Sequence, residues 1–216
     1  MAQGQTRVLG ERTYQELHRE ILRGDHAPGT PLRPQALADR LGVSLAVVRE
    51  ALTRLSGDGL AERATNRGFT VPHASDERWA ELAHARALLE PVMFADAIEH
   101  GDLDWESRVV ATHHRLAATP IGTEVGGHVS EAWSTAHGVF HRTLIDGSGN
   151  GVMLGIFDRL WRSSELARRW SVDISPDRDI AGEHTQLMQV ACDRDVDRAQ
   201  SLMRDHILRT VRRLQP

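Results

Sequence analysis

PGTPLRPQALADRLGVSLAVVREALTRLSGDGLAERATNRGFTV, residues 28–71, decides the architecture of the first part of the chain. Leu37, Ala38 and Leu41 share one face of a short helix that stops at Gly42. Ser44 is placed to cap a second helix, whose apolar side is Val47, Val48, Ala51, Leu52 and Leu55. Gly57 and Gly59 end it, and residues 60–72 alternate about the turn Asn66-Arg67-Gly68 as a two-stranded wing. Upstream, Tyr14, Leu17, Ile21 and Leu22 form a stripe on a first helix ended by Gly24, and residues 26–32 read as a turn. A short helix, a tight turn and a second helix make a helix-turn-helix, in which the second helix lies in the DNA major groove. Arg49, one turn into that helix, is at the depth of a guanine edge or a phosphate. The hairpin tip would put Arg67 into the adjacent minor groove. A small helical domain that binds protein has the same outline.

Apolar residues make up 40% and charged residues 26% of the 216, which reads as a globular chain with room for two cores. Every basic residue is Arg. Residues 1–73 carry ten Arg against eight acidic residues and residues 74–216 sixteen against twenty-two, so a mildly basic segment is joined to an acidic one. The single cysteine, Cys192, excludes an internal disulfide. The first fifteen residues lack an apolar signal core and no run approaches the length of a membrane span, so the expected location is the cytoplasm, with no membrane partner.

From Ser75 onward the periodicity is helical throughout. Helices are expected over about 75–100, 103–118, 128–146, 150–171, 177–192 and 196–214. The fold class is therefore mainly α: a winged helix-turn-helix domain over 1–73 and an all-α bundle over 74–216, with the junction near Pro72–Ser75.

The run PGxxL, LAxxLGVS, VREAL, GL, NRGFxV resembles the winged helix-turn-helix of GntR-family transcriptional regulators over about residues 10–72. The resemblance implies DNA binding, with Arg33, Gln35, Ser44, Leu45, Ala46, Arg49, Arg67 and Gly68 at the DNA-facing positions. That family commonly has Ser-Arg-x-Pro-Val-Arg where this chain has Ser44-Leu45-Ala46-Val47-Val48-Arg49. Leu45 cannot hydrogen-bond a base edge but can contact a thymine methyl, which moves more of the readout to Arg49.

Four of the twelve histidines lie on apolar stripes: His137, with His141 flanking it, beside Trp133, Phe140 and Leu144; His184 beside Ile180 and Leu187; His206 beside Ala199 and Met203. The last two helices join at about 193–195 and should pack antiparallel. His184 and His206 then stand roughly 14 and 16 Å from that turn, at one level. One such histidine alone reads as a core residue bonded to a carbonyl or carboxylate. Four on converging stripes need more polar partners than a core supplies, and one divalent ion meets the demand. Neutral imidazoles suit Zn, Ni, Cu or Fe(II) rather than Mg or Ca.

HGVFHRTLIDGSGN, RALLE and EHTQLMQVACDRDVDRAQSLMRDHI resemble stretches of the FCD ligand-binding domain of FadR-type GntR regulators, together over about residues 76–212. In many such domains an Asp and three His bind a divalent metal beneath a small-molecule cavity. The resemblance puts those three His at His141, His184 and His206, and His137 at the Asp position. Four neutral donors leave the charge of the ion uncompensated, which favours Zn first, with Ni or Cu as alternatives, and draws an anionic effector. Alternatively His137 turns away and a water or effector oxygen takes its place. Arg86, the one charge on the stripe Trp79, Leu82, Arg86, Leu89, Met93, fits an effector carboxylate or an internal salt bridge to Glu90 or Asp96. Asn150 opens a helix as its cap or as an effector contact.

The function expected from these residues is a ligand-responsive regulator. A homodimer would bind a pseudo-palindromic double-stranded operator, with a small carboxylate effector in the helical domain; repression relieved by effector is the usual behaviour of the resembled family. A metal-sensing regulator is the alternative. A metalloenzyme is disfavoured, because HisxxxHis proteases need Glu after the first His, where this chain has Gly138, and four protein ligands close the ion's open position.

Overall fold

The computed structural model describes residues 2–64, 68–73, 76–122, 129–170 and 178–211, in nine helices and three short strands. The chain divides into two compact units, residues 1–75 and 76–216.

In the first unit, α1 (Ala2–Arg23) packs on α3 (Leu45–Gly57), with α2 (Pro34–Leu41) between them in sequence. Tyr14, Leu17, Ile21 and Leu22 are buried, as are Val47, Val48, Ala51, Leu52 and Leu55. Pro34 starts α2 without losing a needed donor. Gly42, at φ 65°, ends it with a backbone bond to the Ala38 carbonyl, a conformation that a Cβ would strain. Ser44 Oγ accepts from the Val47 amide and starts α3. These two residues make the tight turn.

The wing differs from expectation. β1 (Pro31–Leu32), β2 (Glu62–Ala64) and β3 (Gly68–Thr70) form a three-stranded antiparallel sheet in the order β1-β3-β2. Residues 26–32 are thus not only a turn. Gly29, at φ 76°, lets its amide reach the Val71 carbonyl, and the Val71 amide returns to Thr30. That pairing brings Leu32 opposite Phe69, and both are buried. Two residues are too few to show period-two alternation in a sequence.

The second unit is a bundle of α4 (Asp76–His100), α5 (Leu103–Ala118), α6 (Glu131–Ile145), α7 (Gly151–Trp170), α8 (Ile180–Cys192) and α9 (Val196–Val211). Helix α4 packs along α9 and also against α6 and α7; α5 packs on α6 and α8. Phe94, Trp105, Phe140, Leu144, Phe157 and Leu187 form the centre of the core. Ser75, where the helical periodicity of this unit was expected to begin, lies outside the described residues. Leu89 was expected on the buried stripe of α4 but is 40% exposed. The rest of that stripe faces inward, with Trp79, Arg86 and Met93 buried and Leu82 half-buried, and Ala83, Ala87, Glu90 and Phe94 extend the buried face on the side away from Leu89. Arg194, in the turn between α8 and α9, donates to the carbonyls of Ile98 and Gly101 at the end of α4. Its backbone takes the left-handed conformation at φ 56° to do so. The α8–α9 hairpin is thereby fixed in height against α4. No described helix is long and apolar enough to cross a membrane.

Candidate functional site

Helix α6 carries His137 and His141 one turn apart; α8 carries His184 and α9 carries His206. All are buried, and one ring nitrogen from each lies within 4.8 Å of those of the other three. His141 Nε2 and His184 Nε2 stand 3.4 Å apart. Two nitrogens bound to one ion at about 2.05 Å and the tetrahedral angle stand about 3.3 Å apart, so this edge matches a zinc-type shell. Trp133 stacks on His137 with ring centres 4.5 Å apart, and the Trp161 ring centre lies 5.1 Å from that of His141. Gly138 leaves room for Trp161, whose Nε1 lies 3.1 Å from where a Cβ would stand.

Burial pushes His141 and His184 well below the ordinary histidine value, and it lowers His206 against the opposing pull of Glu183. These three rings are neutral at neutral pH, the protonation state in which imidazole binds a metal. His141 Nδ1 is buried with no hydrogen-bond partner among the described residues. Neutral nitrogen donors and tetrahedral-edge spacing together fit a borderline transition ion. These depressed values also set an acid sensitivity. Below the ordinary value of 6.5 the unfolded chain takes up protons that the folded one refuses. Stability is therefore full above 6.5 and falls as pH drops beneath it. Thermal unfolding of the chelated chain from about pH 8 to about pH 5 should show a plateau and then a decline, and a flat profile would refute buried neutral imidazoles.

Glu183, in the first turn of α8, accepts from His206 Nδ1 at 2.8 Å and is gripped by Arg178 through two bonds of 2.6 and 2.9 Å. Burial works to raise its carboxyl, but the bonds from His206 and Arg178 outweigh that and hold it well below the usual carboxylate range. Sequence reading missed this residue. Its one signal is its place directly before His184, in a helix first turn where acids are common anyway.

Arg86 and Glu90 form a buried pair on α4, with Nε to Oε1 at 2.5 Å and a second nitrogen to Oε2 at 3.1 Å. Of the partners considered, Glu90 holds the guanidinium, while Asp96 pairs with His100. Arg86 lies over Trp161 at 5.0 Å from its centre. Asn150 is exposed, and its side-chain oxygen accepts from the Val152 and Met153 amides, capping α7.

In the first unit, Ala46, Arg49 and Glu50 are exposed on the side of α3 opposite its buried row, and Leu45 is half-buried at its start. Arg33 and Gln35 are exposed at the start of α2, where Gln35 donates to Asp39. Gly68 opens β3 at φ 85°, a conformation that disfavours other residues. Arg67 lies outside the described residues.

The FCD domain family matches residues 81–209, and the gntR family of bacterial regulatory proteins matches residues 9–71. The chain is 33% identical over 203 residues to the HTH-type transcriptional regulator BphR of Paraburkholderia xenovorans (strain LB400), covering 93% of this chain and 83% of that one. It is 28% identical over 205 residues to the HTH-type transcriptional repressor GlaR of Escherichia coli (strain K12), covering 90% of each. Its fold is similar to that of E. coli McbR/YncC, with a TM-score of 0.75 at 20% identity over 94% of this chain and 95% of the other. A GntR regulator from Rhodococcus sp. RHA1 gives 0.71 at 20% identity over 95% and 97%. Winged N-terminal domain and helical C-terminal domain together, the chain belongs to the gntR family of bacterial regulatory proteins, with an FCD domain, and is a DNA-binding transcriptional regulator rather than an enzyme.

Proposed function

We propose that this chain is a dimeric repressor whose helical domain, residues 74–216, holds a divalent metal on His137, His141, His184 and His206 and responds to a small carboxylate. Zinc is the first choice of ion. The observation that carries this reading is the buried cluster of four histidines. The charge balance supports the effector class. Arg86 is matched by Glu90 and Arg178 by Glu183, so neither carboxylate is left over to offset a dication among neutral imidazoles. An anion completes the balance. Arg86 reaches an effector only by exchanging Glu90, so the ion is the first anchor, reached where an effector oxygen takes the place of His137 or adds as a fifth donor, and Arg86 is the second. Asn150, occupied in capping α7, is given no part. Repression is supported by the relative named a transcriptional repressor.

Residues 1–73 form the reading head in this proposal. Arg49 reads a base edge or phosphate from one turn into α3, with Ser44, Leu45 and Ala46 beside it. Arg33, Gln35, Arg67 and Gly68 hold the flanking backbone and minor groove. One head covers a short half-site, so a homodimer on a pseudo-palindrome follows. A second reading makes the metal itself the signal; it is favoured by four protein donors, which leave a tetrahedral ion no open position.

Selection from a random duplex library tests both halves together. Inverted half-sites should emerge, bound by two chains, and carboxylates should weaken binding only with metal loaded. If carboxylates act equally on chelated protein, the ion is not their anchor. If metal alone switches binding, the second reading stands.

A further inference from the structure

We infer that Glu183 is a positioning residue for the metal centre: it fixes which nitrogen of His206 faces the ion and ties that ligand, carried on α9, to the start of helix α8. This rests on the metal reading above. Glu183 accepts from His206 Nδ1 at 2.8 Å, and an ionised carboxylate can only accept. The proton of neutral His206 is thereby held on Nδ1, and the lone pair on Nε2 is left for the ion. His141 offers the contrast, since its Nδ1 has no partner among the described residues. One ligand is anchored from behind while another is held by packing.

The anchor is itself anchored. Arg178, just before α8, donates twice to Glu183, and its remaining donors reach the His206 carbonyl at 3.2 Å and Thr210 Oγ1 at 3.1 Å. Arg209 approaches Glu183 at 3.4 Å from the outside. The start of α8 and the last turns of α9 are thus joined through the carboxylate that orients a ligand. A carboxylate behind a ligating imidazole also raises its basicity.

The test uses the full chain with Co(II) and Zn as probes. Glu183→Gln keeps the size but removes the charge. It should weaken metal binding by about ten- to a hundredfold while retaining the Co(II) absorption of an intact nitrogen shell. His206→Ala should alter that absorption. Arg178→Gln leaves the bond from Glu183 to His206 in place and should stay within about threefold of wild type. If Glu183 mattered only as a salt bridge between helices, Arg178→Gln and Glu183→Gln would be equally weak binders, and the inference would fall. Nitrogen-15 spectra of Zn-loaded wild type give an answer independent of any variant's folding. His206 should show a protonated Nδ1 and a metal-bound Nε2, and the reverse assignment overturns the inference. Binding by wild type with equal binding by Glu183→Gln overturns it while sparing the metal reading. No binding by wild type overturns both.

Discussion

Replacing His184 by alanine should abolish stoichiometric zinc binding and remove the metal-dependent part of the stability of the helical domain. His184 is the link between helices: its Nε2 stands 3.4 Å from that of His141 on α6, and its ring centre lies 4.9 Å from that of His206 on α9. Without it, no donor from α8 remains in the cluster. Metal at about a hundred times its dissociation constant stabilises a folded chain by about 2.7 kcal/mol, worth roughly 5–10 °C in a chain of this size. The wild type should lose that increment on chelation, and His184→Ala should neither have it nor lose it. The difference between chelated and loaded protein is the informative quantity. Removing a buried imidazole has its own effect on the metal-free fold, and that cancels in the comparison. Trp133 and Trp161, in ring contact with the cluster, supply a fluorescence reading of occupancy. A wild type that contains no divalent ion when purified away from chelators and nickel resin, and whose melting ignores added zinc, would end the metal reading.

Arg49→Ala should abolish specific operator binding and leave the helical domain untouched. Arg49 is exposed on α3, opposite the buried row of Val48, Ala51, Leu52 and Leu55, so its loss opens no cavity. A bidentate contact to guanine is worth about 1–3 kcal/mol of discrimination, and a two-fold operator counts it twice. The expected loss is roughly thirty- to twenty-thousandfold on the selected operator. Leu45, where the GntR pattern that this stretch resembles has arginine, makes the loss larger here, because no second guanidinium stands at the helix start to share the readout. Melting and metal content should match wild type. Unchanged operator affinity would refute the docking of α3 in the major groove.

The parts of this protein that could be read from its residues are those governed by local periodicity. Gly42 and Ser44 specify the tight turn, one by taking a left-handed conformation and the other by capping. The helical period places His137, His141, His184 and His206 on inward faces, and the hairpin depth argument places His184 and His206 at one level. Both survive in the structure because each depends only on residues a few positions apart. Expectations failed where one element meets another. The Leu32 pairing with Phe69 spans nearly forty residues and gives the wing a strand too short to carry a pattern. Leu89 faces outward because the buried face of α4 extends from Trp79, Arg86 and Met93 towards Ala83, Ala87 and Phe94 and not towards Leu89.

The sequence by itself determined the two-domain outline, the reading helix with its exposed Arg49, and the convergence of histidines on one face of each of three helices. Only the tertiary structure decided who stands behind them: Glu183 on His206, Arg178 on Glu183, and Glu90 rather than an open cavity on Arg86. The first set follows from a 3.6-residue period that any local stretch carries. The second depends on how far each helix is rotated against its neighbours. The whole packed core sets that angle, and Arg194, reaching the end of α4, fixes the height.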